Sequence, residues 1–473
     1  MKRLLLPALL LGLAQCTTPP PVTTVPAPES QAPPTQSARI DFVHDTLPNG
    51  LNVVYHVDRT TPIVAVNLWY NVGSKHEQPG RTGFAHLFEH VMFKGSRNVG
   101  DGQHFALLEQ AGGRGGADIN GTTWYDRTNY FEQVPSNQLE LALWLEADRM
   151  GTLLETLSQE KLDNQREVVK NERRQSFDNQ PYGIWLEKMT GYAFPTGHPY
   201  HHSVIGSMED LSAATLDDVR NFFRMYYSPD NAVLVVAGDI DLSTARALVT
   251  RHFAGIPRGL QRPALRDATI PPRIGTAIRE VINDPNARAP GVFVGYRAPP
   301  QRASGSAAIP LLAAILGNGR TSHLYSTLIR DRQAATSAGA FNLDLLDASD
   351  LLIANAFGRP DSSPDSLEQA LHEALATVVS AITPEQLARV KASVRYQFVN
   401  QLQNMGGFGG RADRLAEGQT FYGDPDWVNR RLAELDAVTL EEVRTLASSY
   451  LIPENRVTLV FVPAAQSGAP RSN

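Results

Sequence analysis

The sequence predicts an α+β protein of two halves that repeat one order of elements, and three features of its 473 residues lead there. With 42% hydrophobic and 19% charged residues, the chain can bury a large core and is too long for one ordinary domain. β-Branched and aromatic runs give way to helical periodicity, and this succession occurs twice. Between the two occurrences, residues 259–275 hold Pro263, Pro271 and Pro272 with few apolar side chains and read as a linker.

The first half, residues 38–258, opens with strand-like runs at 51–57 and 63–70, separated by a turn and expected to pair. Helical patterns follow at 83–93, with Thr82 as its cap and Gly95 as its stop, then at 139–150 and 158–176. The apolar run from Ala232 to Val236, ending at Gly238 and Asp239, is a buried strand closed by a turn. The second half, residues 276–465, starts with a strand at 291–296 and continues with helical stretches at 307–316 and 321–329. Strands at 351–357 and 456–462 enclose long helical patterns at 366–382 and 384–402. Equal element order in halves of similar length implies internal duplication.

Ahead of both halves, Met1-Lys2-Arg3 and an apolar run at 4–13 form a secretory signal over residues 1–16, too short for a permanent membrane helix. Cys16, the sole cysteine, follows Leu13-Ala14-Gln15 in the manner of a bacterial lipoprotein processing site. Gln15 stands where a smaller residue is usual, and cleavage after Ala14, leaving a soluble periplasmic protein, is the alternative. Both routes lead to export into the bacterial periplasm, with a membrane reached only through lipid on Cys16. Residues 17–37, rich in Pro, Thr and Ala, bury too little to fold and read as a tether; 466–473 form a flexible tail. One cysteine excludes an internal disulfide. A net charge of −6 with scattered Lys and Arg argues against nucleic acid as a partner.

The sharpest motif is His86-Leu87-Phe88-Glu89-His90. Residues four apart on a helix lie one turn above each other, so His86 and His90 present two imidazoles to one point, with Glu89 on the same side and Leu87 and Val91 facing the core. Two neutral imidazoles suit Zn²⁺, which in catalytic sites takes three protein ligands and one water. Zinc acidifies that water, and Glu89 is placed as the general base that takes its proton for attack on a peptide carbonyl. His198, His201 and His202 do not make a second metal site, because Pro199 breaks the helical spacing and no carboxylate pattern accompanies them. Gly112 to Gly116 lacks the Gly-Lys-Ser/Thr ending of a phosphate cradle, and Gly406 to Gly410 reads as a hinge or loop.

From residue 40 to 463 the chain resembles the pitrilysin family of zinc metalloproteases, whose members include insulin-degrading enzyme and the mitochondrial processing peptidases; His-x-x-Glu-His is its inverted zincin signature. The resemblance implies two homologous α/β-sandwich halves, each an antiparallel-rich sheet covered by helices, and one zinc per chain. The family's third ligand closes a Glu-x-x-Val-[Ile/Val]-x-x-Glu pattern, matched here from Gln165 to Glu172, which places the ligand at Glu172. Gln165 stands where the family has a glutamate supporting the site. Glu167 is the competing carboxylate, but two residues from Gln165 it points off the face that Gln165 and Glu172 share. Asn120-Gly121-Thr122-Thr123 is similar to the family's edge strand, whose backbone pairs with extended substrate, so Asn120, Gly121 and Thr122 are the substrate-binding candidates. The plainer reading of Asn120 is a turn residue before a strand.

In the family, an Arg and a Tyr from a second-half domain across a closed chamber bind the substrate. After Gly319-Arg320-Thr321-Ser322-His323-Leu324-Tyr325, which is similar to the family's second-half helix start, Ala334 to Ala338 lack that tyrosine. The expectation is therefore a dimer, four halves around the chamber, and in its sharper form a heterodimer with a homologous subunit that lacks His-x-x-Glu-His and supplies the Arg and Tyr. The expected function is hydrolysis of peptides or unfolded segments. Its rivals are a catalytically inactive assembly subunit of the same fold and a pure metal-binding protein.

Overall fold

The computed structural model describes residues 39–266 and 268–464; the signal segment with Cys16, the tether at 17–37 and the tail at 466–473 lie outside them. Strands β1 (Val43–Thr46), β2 (Asn52–Val57), β3 (Ile63–Tyr70), β4 (Ile119–Thr123), β5 (Thr128–Pro135) and β6 (Ala232–Gly238) form a sheet of order β1-β2-β6-β3-β5-β4. Strands β7 (Ile278–Asp284), β8 (Gly291–Ala298), β9 (Ser337–Asn342), β10 (Asp350–Phe357) and β11 (Arg456–Pro463) form a second, of order β7-β11-β8-β10-β9. Without β1 the two orders correspond strand for strand. In each, the first pair is parallel and the others are antiparallel. The duplicated α+β fold is thus present in the topology itself.

One pairing differs from the sequence reading. The runs at 51–57 and 63–70 are not neighbours, because β6 lies between them, parallel to β2 and antiparallel to β3. All seven β6 residues are buried, as a central strand covered on both faces requires. The chain after β2 straddles it: Asp58 N–H donates to Gly238 O (2.9 Å) and Asp239 N–H to Ile63 O (2.9 Å). The predicted helix at 139–150 extends to Thr156, and the stretch at 321–329 winds as a wide π-helical turn over Tyr325–Asp331.

Each half covers the other's sheet. One face of the first sheet packs under its own helices, among them Phe84–Val91, Leu139–Thr156 and Leu216–Tyr226. The opposite face, with Val54, Ala65, Trp69 and Val235, is covered by Leu402, Met405, Leu415 and Phe421 from the second half. In return the first-half helix Trp185–Ala193 places Met189 and Ala193 against Phe293, Ile353 and Leu459 of the second sheet. The linker is pinned as well: Gly259 N–H donates to Asp230 Oδ1 (2.9 Å) and Arg266 Nη2 to Glu77 O (2.7 Å).

A buried charge network joins the halves. Lys75 Nζ donates to Asp126 Oδ1 (2.7 Å) and Asp347 Oδ2 (2.9 Å), and Asp126 also accepts from Tyr200 Oη (2.6 Å) and Leu346 N–H (3.2 Å). Burial pushes the Asp347 carboxyl up, but the charge and hydrogen bond of Lys75, together with the Arg302 charge, hold Asp347 below its ordinary value. Lys75→Met would leave Asp126 without its cation and Asp347 with the partly exposed Arg302 alone (3.0 Å). It is expected to lower unfolding stability by about 3–5 kcal/mol in denaturant titrations, the cost of breaking a buried pair from one side; a loss below about 1 kcal/mol would show that the network does not join the halves.

A second buried cluster lies under β5, where Arg149 serves two carboxylates. Its Nε donates to Glu146 Oε2 (2.9 Å) and its Nη2 to Glu146 Oε1 and to Glu132 Oε1 (3.3 Å). Burial, and then the Glu146 charge, push the Glu132 carboxyl upward, so the fold disfavours its charged form. The unfolded chain ionises it above about pH 4.3, so unfolding releases a proton and this group's contribution to stability falls as pH rises. Glu132→Gln is expected to unfold at a higher temperature than wild type near pH 8, with the gap closing toward pH 5. An equal or lower melting temperature at pH 8 would contradict the assignment.

Candidate active site

The helix Phe84–Val91 buries Phe84, Leu87, Phe88 and Val91 and turns the stripe of His86, Glu89 and His90 away from the core. Its start corrects the sequence reading, since Thr82 does not cap it. Gly83 takes φ 86°, where a Cβ would sit 2.8 Å from Ile205 O, and this sharp turn leaves the Thr82 hydroxyl donating to Asp210 Oδ2 (2.5 Å). The cap is Glu77, whose Oε2 accepts Gly83 N–H and whose Oε1 accepts Ala85 N–H, each at 2.8 Å. That places a buried carboxylate at the positive end of the helix dipole. His202 Nε2 lies 2.9 Å from Glu77 Oε2, while His198 and His201 bond the backbone carbonyls of Ala268 and Phe194.

The helix Gln159–Arg173, capped by the Ser158 side chain, brings Glu172 to the two imidazoles. Glu172 Oε2 is 3.2 Å from His90 Nε2 and 3.7 Å from His86 Nε2, and the two Nε2 atoms are 3.4 Å apart. Ligands bonded at about 2.0–2.1 Å in a tetrahedron lie about 3.3 Å from one another, so these separations suit one zinc-sized ion. The donor set fits as well: two imidazole nitrogens and one carboxylate leave a fourth position free. Burial, then the neighbouring His90, pull the His86 imidazole down to about 4, so its lone pair is free at neutral pH. The hydrogen bond with His90 holds Glu172 below its ordinary value against burial. Glu167 is exposed and bonded to Lys170 Nζ (2.8 Å). Gln165 is buried with its amide on Asn164 Oδ1 (2.6 Å), and none of the described hydrogen bonds ties it to His86, His90 or Glu172.

Glu89 stands beside this group. Thr123 Oγ1 donates to its Oε2 (2.6 Å), and burial raises its pKa while the Thr123 bond and the His90 charge oppose that rise. β4, which carries Thr123, is an edge strand whose outer side bridges to Gly115 at Ile119 and pairs with no further strand among the described residues. Alternation along β4 divides the three predicted substrate contacts. A Cβ on Gly121 would meet Glu89 Cγ at 2.9 Å, so this residue faces Glu89 as Thr123 does. Thr122 faces the other way, its hydroxyl donating to Asn129 Oδ1 (2.5 Å), and the Asn120 side chain turns back onto Gly116 O (3.3 Å) and Gly121 N–H (2.9 Å). Thr123 and Glu77 are the two residues that the sequence reading missed; spacing of two from Gly121 marks Thr123, while nothing local marks Glu77.

Comparison with known proteins agrees with this fold. The sequence model described as Insulinase (Peptidase family M16) matches residues 52–198, and that described as Peptidase M16 inactive domain matches residues 213–394. The chain is 30% identical over 367 residues to the zinc protease PqqE of Helicobacter pylori, covering 76% of this chain and 80% of the relative. It is 29% identical over 430 residues to an uncharacterized zinc protease of Mycobacterium leprae, covering 90% and 93% of the two. A solved structure of a protease from Helicobacter pylori is similar with a TM-score of 0.81 at 27% identity, over 90% of this chain and all 100% of that one. The periplasmic protease PqqL from Escherichia coli shares the fold, with a TM-score of 0.71 at 20% identity, over 89% of this chain and 48% of that chain. The chain belongs to peptidase family M16.

Proposed function

We propose that this chain is a zinc-dependent endopeptidase that hydrolyses peptides or unfolded segments, with one zinc per chain on His86, His90 and Glu172. The observation that carries the reading is the convergence of three ligand atoms within 4.8 Å, beside a half-buried carboxylate and a free strand edge. The relatives' names, zinc proteases, support it. Zinc, when bound, supplies Lewis acidity to water and to the scissile carbonyl. The remaining work belongs to the chain's own residues. Thr123 occupies Oε2 of Glu89 and leaves Oε1 to take the proton of the attacking water and return it to the leaving amine. The β4 backbone binds extended peptide through strand hydrogen bonds, which give affinity without side-chain selection.

The proposed assembly draws its support from the second half. The helix Ala308–Gly317, which stands beside β9 as Phe84–Val91 stands beside β4, reads AIPLLAAILG and offers no ligand. The chain also matches only half the length of PqqL. We therefore read it as one subunit of a dimer whose four halves enclose a chamber, with a homologous subunit lacking His-x-x-Glu-His supplying the Arg and Tyr. Export to the periplasm, with or without lipid on Cys16, completes the proposal.

The test is metal removal. Dialysis against a chelator should abolish cleavage of an unstructured fluorogenic peptide, and one equivalent of zinc per chain should restore it, while folded proteins resist. Cleavage that survives complete removal of metal, or no cleavage by the zinc-loaded chain even with its homologous partner, would overturn the reading.

A further inference from the structure

The cavity of about 420 Å³ at the end of β4 has no part in the chemistry above. Its walls are Trp69, Trp124, Phe341, Leu343, Phe408 and Phe421, drawn from both halves. Trp124 directly continues β4, and its indole N–H donates to Leu343 O (3.1 Å), which follows the other edge strand, β9. The cavity therefore begins where the free edge of β4 ends.

Most of its charged groups are already paired. Arg127 lies between the rings of Trp69 and Phe408, 5.1 Å from each centroid, and donates through Nη1 to Thr122 O (3.1 Å) and Asn129 Oδ1 (2.6 Å). Asp413 accepts from Trp69 Nε1 (2.9 Å) and Gly409 N–H (2.8 Å), and Arg414 donates to Glu417 (2.6 Å). These four charges offset one another and Asp126 is paired with Lys75, which leaves the exposed Asp344, bonded to Asn342 Nδ2 (2.7 Å); a lone carboxylate disfavours an anion, and the aromatic walls fit an apolar group. Two walls remain open to solvent at the mouth, Phe408 at 65% and Phe341 at 37% exposure. Covering such surface is favourable in proportion to its area.

Strand geometry says what arrives there. A peptide paired with β4 alternates its side chains between two faces, and each shares the face of the β4 residue opposite it. Side chains opposite Gly121 and Thr123 face Glu89. Those on the Thr122–Trp124 face lie on the side where Thr122 meets Asn129 and Arg127, the side of the cavity. We propose that this cavity is a specificity subsite that takes one large apolar or aromatic side chain of the peptide, on the alternate face from the residue presented to Glu89. The proposal rests on the peptidase reading and adds a sequence preference that backbone pairing alone does not provide.

The test is binding by the zinc-loaded Glu89→Gln protein of an unstructured peptide in which Trp or Ala is scanned through each position, read by fluorescence anisotropy. Trp should bind about tenfold more tightly than Ala at one position and not at the two beside it. Phe408→Ala and Phe341→Ala, both at exposed walls, should each bring that ratio to within about twofold of one. If the wild type cleaves the peptides but no position shows the preference, or both variants retain it, the subsite is refuted and the peptidase reading stands. If the variants shift the sedimentation coefficient instead of peptide affinity, the cavity joins copies of the chain and the proposal is overturned. If the peptides are neither bound nor cleaved by wild type even with its homologous partner, the peptidase reading fails and the subsite falls with it.

Discussion

Glu89→Gln is expected to reduce peptide hydrolysis by about 10²–10⁴-fold, the usual contribution of a positioned general base, with zinc content unchanged at one per chain. The substitution keeps size and can keep the Thr123 hydroxyl as a hydrogen-bond donor, because the amide oxygen can occupy the place of Oε2. What it removes is the basic oxygen that receives the water's proton. Glu89 is not among the converging ligand atoms, so the metal should stay. Paired measurements of zinc by atomic emission and of kcat on a fluorogenic peptide check this. A variant that cleaves within about threefold of wild type would remove Glu89 from the mechanism, and loss of the metal would make it a ligand instead.

Glu172→Gln should weaken zinc binding by more than about a hundredfold, a larger effect than the 10–100-fold seen when partners outside the coordination shell are changed. Glu172 is the only anion among the three donors, and its carboxylate lies 3.2 Å from His90 Nε2. An amide retains an oxygen but loses the charge that a dication requires, leaving two neutral imidazoles to hold it. Glu167→Gln is the control. That side chain is exposed and paired with Lys170, so its loss should leave zinc affinity within about twofold of wild type. Competition titrations with a chromophoric chelator measure both; equal affinities for Glu172→Gln and wild type would reassign the third ligand.

Local periodicity explains what the sequence disclosed. Four-residue spacing is enough to stack His86 and His90, whereas Glu172 is reached only through the family resemblance, with the seven-residue spacing from Gln165 preferring it to Glu167. Two-residue alternation in β4 separates Gly121 and Thr123 from Asn120 and Thr122, although the function of each face depends on what packs there. Non-local contacts stayed hidden. β6 enters between β2 and β3 from more than 160 residues further along, so adjacency in sequence gave the wrong neighbour. Glu77 caps the motif helix from six residues before Gly83, reached through a tight turn that no capping pattern describes. The crossing of Trp185–Ala193 onto the second sheet, and of Arg411–Tyr422 onto the first, is likewise invisible in patterns that report burial but not against what.

Anomalous diffraction at the zinc edge, from crystals of protein purified without added chelator, tests the central claim most directly. A single peak is expected per chain, about 2.0–2.2 Å from His86 Nε2, His90 Nε2 and a Glu172 carboxylate oxygen. No peak at that point, or one at the buried His104, Glu132 and Glu146 cluster instead, would contradict the account.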